Sequence, residues 1–154
     1  FLTMLFFGIM FLGGSSGSTS GGVKVLRHLI LIKNGLLEFK RSLHPNAIFP
    51  LRHNNHVVEK PIIIHVLAFF ILYLILFIIG AGVLSLLGLD FVSAIGGAAS
   101  SLGNVGPALG TLGPISNFDS LPEIGKYWCS FLMLVGRLEL FTVLIFFTPY
   151  FWKS

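Results

Sequence analysis

The apolar run FLTMLFFGIMFL at residues 1–12 stops abruptly at GGSSGSTSGG, residues 13–22, where only Gly, Ser and Thr occur. Roughly 12 helical residues rise only about 18 Å against a hydrocarbon core of about 30 Å, so this run predicts the end of a membrane helix that starts before Phe1. Beyond the break the pattern becomes amphipathic. Val25, Leu26, Leu29, Ile30 and Ile32 recur at helical spacing among Lys24, Arg27 and Lys33, predicting a helix from Val23 to about Phe39 that leaves the membrane or lies at its surface. Pro45 and Pro50 then impose extended or turn backbone.

The clearest element follows. IIIHVLAFFILYLILFIIGAGVLSLLGL, residues 62–89, carries no charge and is long enough to span a bilayer with some tilt. Pro61 suits its first turn, where a missing N–H costs nothing, and Asp90 closes it on the far side. His65, near its start, reads as an interfacial or packing histidine rather than a proton relay. Phe91 to Leu102 is apolar and rich in small residues but too short to cross, which predicts a re-entrant half-helix. It ends at GNVGPALG, residues 103–110, and such irregular backbone survives at membrane depth only when buried in protein or lining a water-filled cavity. A last apolar segment begins at Tyr127 and Trp128 and ends at Tyr150, Trp152 and Lys153, an aromatic belt at each interface.

Composition agrees with the pattern: 55% hydrophobic residues, 10% charged residues and a mean hydropathy of +0.91 mark a membrane chain. Lys24, Arg27, Lys33, Lys40, Arg41, Arg52 and Lys60 gather the positive charge between the first and second apolar regions, which predicts that residues 24–60 lie in the cytoplasm. Residues 117–123 hold two acids and no base, as expected on the outside. The net charge of +4 does not indicate nucleic acid, because the basic segment has too few aromatics to form a stacking platform. The single cysteine, Cys129, sits in an apolar stretch and reads as inert packing. The Gly/Ser run is no Walker loop, since Lys24 is flanked by Val23 and Val25 and no Gly-Lys-Ser/Thr occurs there. No catalytic motif falls in the membrane segments, so an enzyme is not expected, nor a tightly bound cofactor.

Helix, half-helix, glycine-bearing loop and helix is the M1-P-M2 plan of cation channels. The expected fold is therefore an all-α membrane protein with a re-entrant half-helix and filter loop, preceded by a broken transmembrane helix. A half-helix that enters from outside points its partly negative C-terminus inward and favours a cation beyond it. Backbone carbonyls of Asn104, Val105 and Gly106 can replace the water shell of that ion. Arg137 lies about 10 residues from either end of the last segment, near the midplane, where an isolated arginine costs at least a few kcal/mol. Glu139 is roughly 200° around the same helix and cannot pair with it on one face. The polar groups of the Gly13–Gly22 loop are the candidate partners, and a plain helix-stapling role stands as the alternative.

Four stretches in this order, GSTSGGVK, HPNAI, LGNVGPALG and MLVGRLELFTVLIFFTPYFWK, closely resemble the C-terminal part of Trk-type potassium uptake proteins, the TrkH/TrkG branch of the Trk/Ktr/HKT superfamily. The resemblance covers essentially the whole chain. It implies four M1-P-M2 units in one polypeptide of the bacterial inner membrane, with residues 1–40 as the second helix of the third unit, broken at 13–22. Residues 41–60 would then be a basic cytoplasmic loop, residues 61–154 the fourth unit, and the C-terminus cytoplasmic. Potassium is the implied transported substrate. The resemblance makes Gly106 the filter glycine, with Gly103, Asn104 and Val105 completing the filter strand. Gly103 and Ala108 depart from the Asn-Asn-Leu-Gly-Pro-Gly that fourth units often carry, and Ala108 disfavours a positive φ at its position. It also implies an intramembrane gate formed by Gly13, Gly14, Gly17, Ser18, Thr19, Gly21, Gly22 and Arg137. Implied partners are membrane lipid, a TrkA-type nucleotide-binding regulatory ring and a second copy of the full-length protein. The basic segment serves equally well to attract anionic lipid heads. Two other readings remain open: a broken-helix secondary transporter of another solute, and a non-transporting membrane fragment.

Overall fold

A computed structural model describes residues 2–14, 22–44, 49–53, 56–114 and 118–138. Five helices carry the fold: α1 (Leu2–Phe11), α2 (Val25–Leu43), α3 (Lys60–Leu86), α4 (Phe91–Gly103) and α5 (Glu123–Arg137). Two-residue strands β1 (Arg52–His53) and β2 (His56–Val57) pair antiparallel between α2 and α3. Among the described residues, α3 is the one helix long and apolar enough to cross a membrane. Its 27 residues rise about 40 Å, more than the hydrocarbon thickness of about 30 Å. Pro61 occupies its first turn as the sequence predicts.

Tyr73 is the midpoint of α3 and the level at which the other helices meet. α4 descends beside α3 from Asp90: a Cβ on Gly80 would sit 3.5 Å from that of Ala98, and one on Gly103 would lie 3.9 Å from the Tyr73 hydroxyl. The half-helix therefore ends at the middle of the spanning helix. Its small residues explain how. Ser93, Ala94 and every residue from Gly96 to Gly103 are buried, because short side chains let α3 and α5 close on both flanks.

α1 descends on the same level scale, with Phe7 against Phe77, and Phe11 meeting both Phe77 and Tyr73 edge-on. It stops there. α2 resumes at that depth: Val23 shares a buried cluster with Phe69, Tyr73 and Leu102, and the Arg27 guanidinium lies 3.9 Å from the centre of the Phe69 ring. His28 meets Phe70 edge-on, and Glu38 and Arg41 reach a cavity they share with Lys60 and Ile63. α1 and α2 thus meet α3 on either side of the level of Tyr73, α1 ending there and α2 leaving from there.

Three differences from expectation concern extent. α2 begins at Val25 and runs to Leu43, into the segment assigned to the basic loop, and of its predicted apolar side Ile30 is buried while Val25 and Ile32 are exposed. α4 includes Gly103, one residue beyond the expected end. α5 starts at Glu123, ahead of its aromatic belt; Glu139, Tyr150, Trp152 and Lys153 lie outside the described residues. Cys129 is buried, packed in a cluster with Leu84, Ala98 and Leu121.

The corner at the end of the half-helix

Asp90 caps α4, its carboxylate accepting the Ser93 N–H at 3.2 Å. A side-chain hydrogen bond with Ser93, joined by that N–H, holds the Asp90 carboxyl below its ordinary value. Ser93 also anchors the returning chain, since its Oγ accepts from the Thr111 N–H and hydroxyl, each at 2.8 Å. A short 3-10 turn at Gly110–Leu112 is thereby fixed against the first turn of α4. Gly96 leaves room for this return, because a Cβ there would lie 2.6 Å from that of Leu109.

At the other end the helix closes with two backbone bonds, Asn104 N–H to Ser101 O at 3.2 Å and Val105 N–H to Ser100 O at 3.0 Å. This is a Schellman ending, whose first post-helical residue must be left-handed. Asn104 fills that position at φ 53°, ψ 41°, the one non-glycine residue at positive φ among the described residues. Asparagine tolerates this region better than other side-chain-bearing residues. Gly106 then takes φ 106°, which glycine permits without strain.

Gly103 is thus the last helical residue, and the corner proper comprises Asn104, Val105 and Gly106. Val105 and Gly106 are exposed and Asn104 is half-buried. Two side chains fix the corner. The fully buried Ser100 donates its hydroxyl to the Gly106 carbonyl at 2.9 Å, leaving that oxygen a second lone pair. The Asn104 amide donates to the Met133 carbonyl of α5 at 3.0 Å. Ser100 was not legible as a site residue, although the small-residue run containing it was. Ala108 is buried and is not among the positive-φ residues, so the substitution noted there meets no strain.

The edges of the 13–22 segment and the end of α5 approach this corner. The Gly13 N–H bonds to Val23 O at 3.0 Å and the Val25 N–H to Gly14 O at 3.2 Å, so the two edges of the broken segment are tied together. Gly22, at φ 79°, packs on the Gly103 backbone, and the Met10 carbonyl lies 3.2 Å from where a Gly103 Cβ would be. Gly17, Ser18, Thr19 and Gly21 lie outside the described residues. On α5, Gly136 touches α4 so closely that a Cβ would overlap the Leu102 carbonyl oxygen. Arg137, the next residue, is exposed at the end of the described helix, one turn beyond Met133. The structure brings Gly13, Gly22, Gly103, Asn104 and Gly136 together and places Arg137 at their margin.

A family model described as TrkH, cation transport protein, matches residues 1–154. The chain is 40% identical over its full length to the Trk system potassium uptake protein TrkH of Escherichia coli K12, covering 32% of that protein. It is 43% identical over 97% of its length to the Trk system potassium uptake protein TrkI of Halomonas elongata, covering 30% of it. A crystal structure of the potassium transporter TrkH from Vibrio parahaemolyticus superimposes with a TM-score of 0.89 at 36% identity, over 99% of this chain and 32% of that one. The chain spans about a third of the length of the relatives it matches.

Proposed function

The chain belongs to the TrkH family of cation transport proteins, and from that premise we propose that it supplies the fourth pore unit, residues 61–154, and the broken helix of the third, residues 1–40, of a potassium uptake protein. Residues 41–60 connect the two on the cytoplasmic side. One observation carries this reading: a 13-residue half-helix ends at the depth of Tyr73 in a left-handed corner whose residues Val105 and Gly106 are exposed.

The chemistry follows from that placement. The C-terminus of α4 brings a partial negative charge of about half a unit toward mid-membrane, where little water competes with it. Carbonyls of Asn104, Val105 and Gly106 form one quarter of a coordinating ring, and three comparable strands from the rest of the polypeptide complete it. Hydrogen bonds from Ser100 and Asn104 keep the corner from collapsing when the ion leaves. Potassium is substrate here, held transiently, and no catalytic step is proposed.

Gating is assigned to the segment 13–22 with Arg137. Support comes from the tied edges of that segment, which rest on the filter end of α4, and from Arg137 lying one turn past the α5 carbonyl that Asn104 engages. A cationic constriction there would oppose the ion electrostatically. The remaining partners are an inner-membrane lipid phase, a TrkA-type regulatory ring on the basic face and a second copy of the full-length protein.

Expression of the full-length gene in a potassium-uptake-deficient cell at low external potassium tests the reading. Growth should be restored, and Gly106→Ser should reduce discrimination of potassium against sodium. Failure of the membrane-inserted protein to restore growth would reject potassium uptake as its activity.

A further inference from the structure

We propose that a basic pocket between α2 and the Pro50–Arg52 segment binds the headgroup phosphate of an anionic phospholipid. The proposal is independent of the ion path. A cavity of about 260 Å³ is lined by three basic residues, Lys33, Lys40 and Arg52, together with Leu36, Leu37, Pro50 and Leu51. No acid lines it. The nearby helical carboxylate, Glu38, is held at 2.9 Å by Arg41 and borders the neighbouring cavity instead. Three cations around an open, acid-free pocket demand an anion, and two ammonium groups with one guanidinium fork match a phosphodiester.

Position selects the lipid over other anions. α2 runs antiparallel to α3 from the level of Tyr73 to the level of Lys60, so the pocket lies where the spanning helix begins. That is headgroup depth for the leaflet at the basic end. Ile32, Leu36, Phe39 and Leu43 form an exposed apolar stripe along α2, at helical spacing, and Lys33 and Lys40 each lie one residue beyond a stripe member. A cationic rim beside an apolar ridge suits a ligand with a charged head and hydrocarbon tails: the lysines reach the phosphate while their stems and the stripe lie along acyl chain. Soluble phosphate could not use the stripe, and an acidic peptide would leave it uncovered.

Native mass spectrometry of the full-length protein with phosphatidylglycerol or phosphatidylcholine of equal chain length tests the pocket. Phosphatidylglycerol should be retained preferentially, and each of Lys33→Gln, Lys40→Gln and Arg52→Gln should weaken its retention about fivefold. Lys126→Gln, in the first turn of α5 beside the Leu87 end of α3, should leave retention unchanged, and millimolar inorganic phosphate should not displace the lipid. A second measurement needs no substitution: acylation of Lys33 and Lys40 by an amine reagent should be slower in nanodiscs containing phosphatidylglycerol than in phosphatidylcholine alone. Equal retention of the two lipids, a triple variant that binds like the original, or displacement by inorganic phosphate would each overturn the assignment. So would slow acylation in both membranes, which would mean that protein covers the pocket.

Discussion

The side-chain amide of Asn104 donates a 3.0 Å hydrogen bond to the main-chain carbonyl of Met133, fastening the corner that ends the half-helix to the helix beside it. The same residue supplies the left-handed turn, so one side chain governs both the direction of the chain leaving α4 and its distance from α5. Separating the two roles is possible because glycine keeps the turn and loses the bond.

Asn104→Gly should therefore fold with a modest loss, on the order of 1 kcal/mol for one hydrogen bond, while Asn104→Ala adds a left-handed penalty of about 1–2 kcal/mol. Thermal unfolding of the detergent-solubilised protein should rank the original above Gly and Gly above Ala. Equal stability of the two variants would mean that the turn carries no strain.

Ser100 acts on the strand from behind. Ser100→Ala should fold, since alanine fits the same buried space, but it releases the Gly106 carbonyl from its donor. Sodium uptake relative to potassium should rise, and Ser100→Thr should restore much of the discrimination. If the alanine variant discriminates as well as the original, the Gly106 carbonyl does not need that hydroxyl.

Gly136 sets the spacing between α4 and α5. Gly136→Ala places a methyl on the Leu102 carbonyl and should destabilise by about 1–3 kcal/mol or prevent assembly, as overpacking does. Gly82→Ala, where a Cβ meets nothing within 4 Å, is the matched control and should be neutral. The yield of monodisperse protein distinguishes them.

Asp90 gives the half-helix a pH dependence. Its carboxyl is held below the ordinary value by Ser93, so the folded state binds the proton more weakly than the unfolded chain. The resulting stabilisation is present above the ordinary carboxylate range and fades as pH falls through the lowered folded value. Asp90→Asn keeps a cap acceptor but cannot titrate, and its stability should vary less with pH over that acid range. Unfolding midpoints of both proteins at several pH values from 2 to 6, roughly the range around a carboxylate, provide the comparison.

Arg137→Ala should alter potassium leak or its regulation without abolishing uptake, if the arginine helps close the path beneath the corner. Flux measured in proteoliposomes of the full-length protein checks this. Unchanged leak and regulation would leave Arg137 a helix-packing residue.

Much of the fold was written in hydropathy alone. An uncharged run that outlasts the bilayer, a small-residue run too short to cross and a Gly/Ser interruption each dictate a local outcome, because every membrane backbone group needs an internal partner or a wet, protein-lined niche. The glycine-bearing loop marked where the half-helix ends. What the sequence could not rank was which residue turns the corner. Glycine was the natural candidate, yet Gly103 remains helical and Asn104 turns, since its amide finds an acceptor 29 positions away on α5. Packing also fixed the common depth at Tyr73, where the break of one helix, the end of another and the close approach at Gly136 coincide. Such coincidences arise from small residues letting three helices close together, and a one-dimensional pattern records the small residues without recording what they meet.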